Sequence, residues 1–250
     1  MKYNIFTVLN EGYASFGKLL ISSIFDKIDM DKLGEIIICD TGISEETRKY
    51  LSLFPKTKIV PAGFRTEHSR IHDDDWKKTV YSKAKLLLRT IENYDEFVPT
   101  VMIDCDCIVV EDFSDILDGD FDVAPCLRNQ AGRKVGHQAT STHIGSFFFA
   151  ATDKSVPFIR AWISEIPKIT ATGGDGKRIP QESPALSNIC ERMKNEISIF
   201  NICEREIANI EHYPPEIAKV YHLKSDFLYL TVEKRLSQPR ANYYTGRYLR

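Results

Sequence analysis

An α/β fold in a single domain is what the 250-residue sequence predicts. Three features predict it. Strand-like apolar runs alternate with helical stripes through the first half of the chain. The composition, 43% hydrophobic and 27% charged, is that of an ordinary globular protein. Finally, the apolar run Val101-Met-Ile103 leads straight into two aspartates, and open α/β sheets put their ligands beyond the carboxyl ends of their strands. A chain of this length buries a substantial core, and without an internal repeat or a linker we expect one domain rather than two.

The elements follow in order. Ile5 to Leu9 reads as a strand, and after a loop at Glu11 and Gly12 the residues Phe16, Leu19, Leu20 and Ile24 recur with helical spacing. Glu35 to Cys39 is a second buried strand ending at Asp40-Thr-Gly42, and Ser44 followed by Glu45 and Glu46 is the capped start of a helix. Lys58 to Val60 fits a third, short strand. The polar segment between Pro61 and Thr79 has no clean period and predicts a loop leading into a helix start. His68 and His72, four apart, could share a metal only on a helix that nothing here predicts, so they read as solvated.

The next helix carries an apolar stripe of Val80, Ala84, Leu87, Leu88 and Ile91, preceded by Asp73, Asp74 and Asp75, whose charges favour a helix N-terminus. Lys83 borders that stripe, placed either to reach a phosphate at the end of a neighbouring strand or to snorkel to water. Phe121 to Cys126 and Ser146 to Ala150 are further strands, and Ser155 with Pro157 starts a helix through Trp162. Thr170 to Ile179 is Gly-rich and predicts a loop. Ser183 and Pro184 are the expected cap and first residue of a helix through Met193, followed by a strand from Ile197 to Ile202 and a last apolar run, Val220-Tyr-His-Leu223.

Charge and termini exclude several classes. A net charge of −2 and a pI near 6.3 give no reason to expect nucleic-acid binding. The start, MKYNIFTVLNEGY, lacks the apolar stretch of a secretion signal and no segment has the uninterrupted apolar length of a membrane span, so we expect a cytoplasmic protein. Cys39, Cys105, Cys107, Cys126, Cys190 and Cys203 form no CxxC pair, as expected for reduced thiols and against a structural zinc site. Near the end, Lys234, Arg235, Arg240, Arg247 and Arg250 stand among Tyr243, Tyr244 and Tyr248. That suits an anionic substrate or peripheral contact with a membrane surface, although such an end is more often simply a solvated tail.

The carboxylates of TVMIDCDCIVVED raise the functional question, because charges beside a core strand are costly unless paired or coordinated. On an extended strand Asp104 and Asp106 face one side and Cys105 and Cys107 the other, so both acids can present oxygens to one hard cation, Mg²⁺ or Mn²⁺, which takes its remaining ligands from water and phosphate. The same spacing recurs at Asp73/Asp75, Asp118/Asp120 and Asp120/Asp122, and a turn in which the acids cap backbone N–H groups is the competing reading.

The ordered set NIFTVLN, ICDTG, YSKAKLLL, VMIDCD and THIGSFFF resembles bacterial glycosyltransferases of the GT-A fold over most of the chain. The resemblance implies a single domain over residues 1–250 with a Rossmann-like mixed sheet. It also implies a nucleotide-sugar-binding half at 1–115, an acceptor-binding half at 116–225, and a basic, aromatic tail at 226–250. It implies that Asp104 and Asp106 are the DxD motif, binding the Mn²⁺ or Mg²⁺ that bridges the diphosphate of a nucleotide-sugar, with His222 as the late histidine that completes the metal site. The glycine usual after that histidine is absent. Thr7 and Leu9 would line the nucleoside pocket, Asp40 would contact base or ribose, and Lys83 and Lys224 would stand near the diphosphate. Gly145 would allow close approach of the donor sugar, with His143 where asparagine is frequent. Glu182, in PQESPALS, matches the leading acid of a segment often written DQDAL, although Ser183 and Pro184 replace its other polar positions.

The reaction so implied transfers a sugar, with a UDP-sugar as the family's usual donor, to a hydroxyl of a glycan, lipid-linked or protein acceptor, as in capsule, lipopolysaccharide or glycoprotein assembly. Asp106, through the metal, and Glu182, as a base towards the acceptor if the configuration inverts, are then the catalytic carboxylates. Two other readings stay open: a phosphatase of the haloacid dehalogenase type with Asp104 as nucleophile, and a non-catalytic nucleotide-binding module.

Overall fold

The computed structural model describes residues 1–67, 74–127, 142–172, 178–180, 182–203, 206–209 and 218–223. His68, His72, Lys224 and the tail at 226–250 lie outside the described residues.

A strand that is apolar at consecutive positions needs cover on both faces, and β1 (Tyr3–Leu9) is buried throughout. Its Tyr3, Ile5 and Leu9 join one apolar cluster while Phe6 and Val8 join another, so a layer packs on each side. The chain continues through α1 (Ala14–Lys27), β2 (Leu33–Asp40), α2 (Glu45–Leu51) and β3 (Thr57–Pro61). The Ser44 hydroxyl caps α2 by accepting from the Thr47 N–H at 3.1 Å, as its position before two glutamates predicts. Next come α3 (Asp74–Glu92), β4 (Thr100–Ile103), β5 (Cys107–Val109), β6 (Val123–Leu127), β7 (His143–Ala150) and α4 (Ser155–Glu165). The remaining elements are β8 (Thr170–Thr172), β9 (Arg178–Pro180), α5 (Glu182–Met193), β10 (Ile202–Cys203), β11 (Ile207–Asn209) and β12 (Val220–His222).

Seven strands form the central sheet in the order β10-β6-β7-β4-β1-β2-β3. β4, β1, β2 and β3 run parallel, whereas β7 is antiparallel to both β4 and β6. Phe147 and Phe149 of β7 point into the cluster that holds Phe16, Leu20 and Ile24 of α1. Phe148 points the other way, among Leu87 of α3, Phe158 and Trp162 of α4 and Leu186 of α5. A small sheet, β11-β12-β5, flanks this core. No described helix is long and apolar enough to cross a membrane.

The structure departs from the sequence reading at several points. Asp104 to Asp106 do not continue a strand: the chain turns there, with the Cys107 N–H donating to the Asp104 carbonyl at 3.1 Å, before the unexpected β5 begins. The expected strand from Ile197 to Ile202 is mostly loop, because Ser198 turns towards Asp122, whose carboxylate accepts from the Ser198 N–H at 2.9 Å. The Gly-rich segment is bounded by paired strands, β8 against β9. And α5 starts at Glu182, so the Ser183 hydroxyl is not its cap but accepts from the Gly145 N–H at 3.3 Å.

Candidate active site

Four parallel strands deliver their carboxyl ends to one edge of the sheet, where an open α/β fold binds its ligands. β4 ends there at Ile103, and the Asp104 N–H still donates to the Ser146 carbonyl of β7 at 2.9 Å. The turn that follows lets both carboxylates converge. β5 then pairs antiparallel with β12, setting His222 opposite Cys107, and the Leu223 N–H donates to the Asp106 carbonyl at 2.8 Å. The His222 Nε2 consequently lies 3.2 Å from Asp106 Oδ1 and 3.9 Å from Asp104 Oδ2.

These three side chains each offer a ligand atom, all within 4.8 Å of one another and half-buried. Ligand atoms bound to a hard octahedral cation at about 2.1 Å stand roughly 3 Å apart when adjacent and 4 Å when opposite, and the 3.2 and 3.9 Å separations of His222 Nε2 from the two carboxylates are of that size. Two carboxylates and one imidazole suit Mn²⁺ or Mg²⁺, with positions left for water and phosphate. Burial pushes the Asp106 carboxyl up, but the His222 imidazole, with help from Lys83 and the main chain, brings it below its ordinary value.

Lys83 reaches this corner from α3. Its ammonium donates to Asp104 Oδ1 at 2.6 Å and to the Gly145 carbonyl at 3.2 Å, and lies 3.4 Å from Glu182 Oε2. Burial alone would pull the ammonium down, yet Asp104 and Glu182 hold it well above its ordinary value, so the buried Lys83 is charged. Glu182 behaves oppositely: burial, with a contribution from the Asp104 charge, outweighs Lys83 and pushes its carboxyl up to about 7. Glu182 Oε1 is buried without a hydrogen-bond partner among the described residues. Gly145 makes room for this carboxylate, since a Cβ there would fall 2.6 Å from Glu182 Cδ.

The other expected site residues lie apart from the cluster or are committed elsewhere. Asp40 ends β2 and closes a turn, its Oδ1 accepting from the N–H groups of Gly42 at 2.6 Å and Ile43 at 2.8 Å, while Arg48 pairs with Oδ2. Leu9 is core, packed so tightly on α1 that a Cβ at Gly17 would come 2.5 Å from Leu9 Cδ2. Thr7 is equally buried, its hydroxyl without a partner among the described residues. His143 is buried at the start of β7, where its Nε2 meets Asn201 Oδ1 at 3.0 Å and burial lowers its pKa against that hydrogen bond.

Sequence reasoning did not find Ser146, Ser183 or Leu223, which support the corner. Two of them act through main-chain atoms, a role that carries no residue-type signal. Neither did it pair Lys83 with Glu182, which meet because α5 packs on β7 and Lys83 of α3 donates to the Gly145 carbonyl of that strand.

No protein-family model matches the chain, and no curated protein matches it. Solved structures do. The galactosyltransferase LgtC, in complex with donor and acceptor sugar analogs, is 13% identical, with a TM-score of 0.65 over 98% of this chain and 95% of LgtC. This chain has the GT-A-like glycosyltransferase fold. An active-site mutant of LgtC superposes with a TM-score of 0.56 over 88% of this chain and 86% of its own, again at 13% identity. The bifunctional glycosyltransferase WbbM, in its apo form, matches all of this chain with 52% of its own length, at 13% identity and a TM-score of 0.57. At such identities the likeness speaks for the GT-A-like architecture alone.

Proposed function

We propose that this protein is a metal-dependent glycosyltransferase that moves a sugar from a nucleotide-diphosphate sugar, a UDP-sugar first, to a hydroxyl of a glycan, lipid-linked or protein acceptor. The observation that carries the proposal is the convergence of Asp104, Asp106 and His222 at the carboxyl edge of a GT-A-like sheet. Structural likeness to enzymes that handle donor and acceptor sugars supports it. Six free cysteines accord with the reducing cytoplasm we propose as its setting.

Asp104, Asp106 and His222 would hold Mn²⁺ or Mg²⁺. Such an ion offsets negative charge growing on the departing nucleoside diphosphate. Lys83 supplies a second, permanent positive charge at the same corner and fixes the orientation of Asp104. Glu182, near neutrality in pKa and with Oε1 unpartnered among the described residues, is suited to take the proton of an acceptor hydroxyl or to hold a sugar hydroxyl beside Gly145. No observation favours the phosphatase reading over this one.

The test is a thermal-shift titration of UDP with and without Mn²⁺, on the parent and on Asp104→Asn/Asp106→Asn. The proposal expects UDP to stabilise only the parent and only with metal, by about 2.7 kcal/mol at a hundredfold excess over Kd. Stabilisation of the double variant to the same extent would remove the acid pair from the site. Binding without turnover of any UDP-sugar would leave a nucleotide-binding module.

A further inference from the structure

Beyond β3 the chain crosses over the end of β2, and the crossing is fixed at one residue. The Thr66 N–H donates to the Thr41 carbonyl at 2.7 Å, the Thr66 carbonyl accepts from Asn10 Nδ2 at 3.4 Å, and the Thr66 hydroxyl meets those of Thr41 at 3.1 Å and Thr79 at 3.3 Å. Thr66 is buried, whereas its neighbour Arg65 is turned outward. The Arg65 guanidinium lies over Gly42, where a Cβ would stand 3.6 Å from its Nε and 3.7 Å from its Nη2. Gly42 has φ +130°, a conformation that side chains rarely adopt, so the surface beneath the guanidinium stays bare.

The described arginines differ in what they hold. Arg48 pairs with Asp40, Arg160 with Glu92 and Arg192 with Glu165, and Arg89 donates to the carbonyls of Ala62 and Pro61. Arg65 has no hydrogen bond or ion pair among the described residues. Among the described residues, five donors in a planar fork thus stand uncommitted on a backbone anchored at the next residue, at the carboxyl edge of the sheet, where open α/β folds bind ligands. Asp40, the residue expected to touch the nucleoside, is meanwhile closed off by Gly42, Ile43 and Arg48.

Distance decides which part of a ligand Arg65 meets. β2 is separated from β4 by β1, and at about 4.8 Å per strand the end of β2 stands roughly 10 Å from the acid pair. A nucleoside whose diphosphate sits at Asp104 and Asp106 extends its base about that far.

We propose that Arg65 is the base-reading residue of this site, placing its guanidinium against the ring face or carbonyl edge of the nucleobase. The inference rests on the nucleotide-sugar reading above. It is tested by calorimetric titration of the full chain, in Mn²⁺, with UDP, CDP, GDP, ADP and inorganic pyrophosphate, for the parent, Arg65→Ala and Arg65→Lys. We expect the parent to rank the nucleotides. Arg65→Ala should bind the preferred one about tenfold more weakly and flatten the ranking, and Arg65→Lys, which keeps the charge but not the fork, should not restore it. Pyrophosphate affinity should be the same in all three. Equal losses for pyrophosphate and nucleotide would make Arg65 a phosphate contact and overturn the inference, as would an unchanged ranking in Arg65→Ala. A parent that binds neither pyrophosphate nor any nucleotide would overturn the donor reading itself, and this inference with it.

Discussion

Asp122 and Glu182 are both buried carboxylates, one before β6 and one at the start of α5, and their environments drive them in opposite directions. Burial pushes the Asp122 carboxyl up, but it accepts from the Thr152 hydroxyl at 2.7 Å and the Ser198 N–H at 2.9 Å, with Lys154 nearby, and ends below its ordinary value. Glu182 shares one ammonium with Asp104, leaves an oxygen without a partner among the described residues, and ends near 7. The first carboxylate is saturated by its own chain and serves as a fastener between β6 and the loop before β10. The second is left incomplete, which costs stability and is the usual mark of a group meant for a ligand.

The largest effect should come from the incomplete side. Asp106→Asn should lower Mn²⁺-dependent turnover of a UDP-sugar by about a thousandfold while moving the melting temperature little, read by initial rates and thermal melts on the same preparation. Asp122→Ala should do the reverse. Stranding the Ser198 N–H and the Thr152 hydroxyl should cost about 2 kcal/mol, a fall of several degrees, with unchanged turnover per folded molecule. An Asp122 variant that lost activity without losing stability would erase the contrast.

Acid and base should sharpen it. The pKa of Asp122 is depressed on folding, so its contribution is present above the unfolded value and disappears as pH falls through the folded one. The pKa of Glu182 is raised, so the folded state holds its proton more tightly and stability from this group is lost as pH rises from the ordinary carboxylate value to about 7. Melting temperature against pH should therefore flatten on the neutral side in Glu182→Gln and on the acid side in Asp122→Asn. The smallest effect is expected from Ser183→Ala, which removes the acceptor for the Gly145 N–H and should cost about 1 kcal/mol or less by denaturant titration.

Periodicity made the frame legible: β1, β2, β4 and β7 are buried strands because their apolar residues are consecutive, and α1 and α3 show their stripes at helical spacing. The three-residue strands β5 and β11 carry too few positions for a period, and β5 exists because β12 pairs with it. The acids at 104 and 106 were legible as a pair, but their convergence comes from a turn rather than from strand alternation. Ser183 looked like a cap because serine before proline so often is one. It faces β7 instead, where the Gly145 N–H needs an acceptor. Arg65 carried no signal at all, since only the crossing over β2 sets it above Gly42.

Because β5 finds its partner in β12, the third side chain of the proposed metal site arrives from residue 222. During synthesis the acid pair emerges early and waits on the ribosome without its imidazole until position 222 has left the exit tunnel. A nascent or clipped polypeptide that stops before β12 can build most of the central sheet and still be unable to grip an ion with all three side chains, so competence is conferred last.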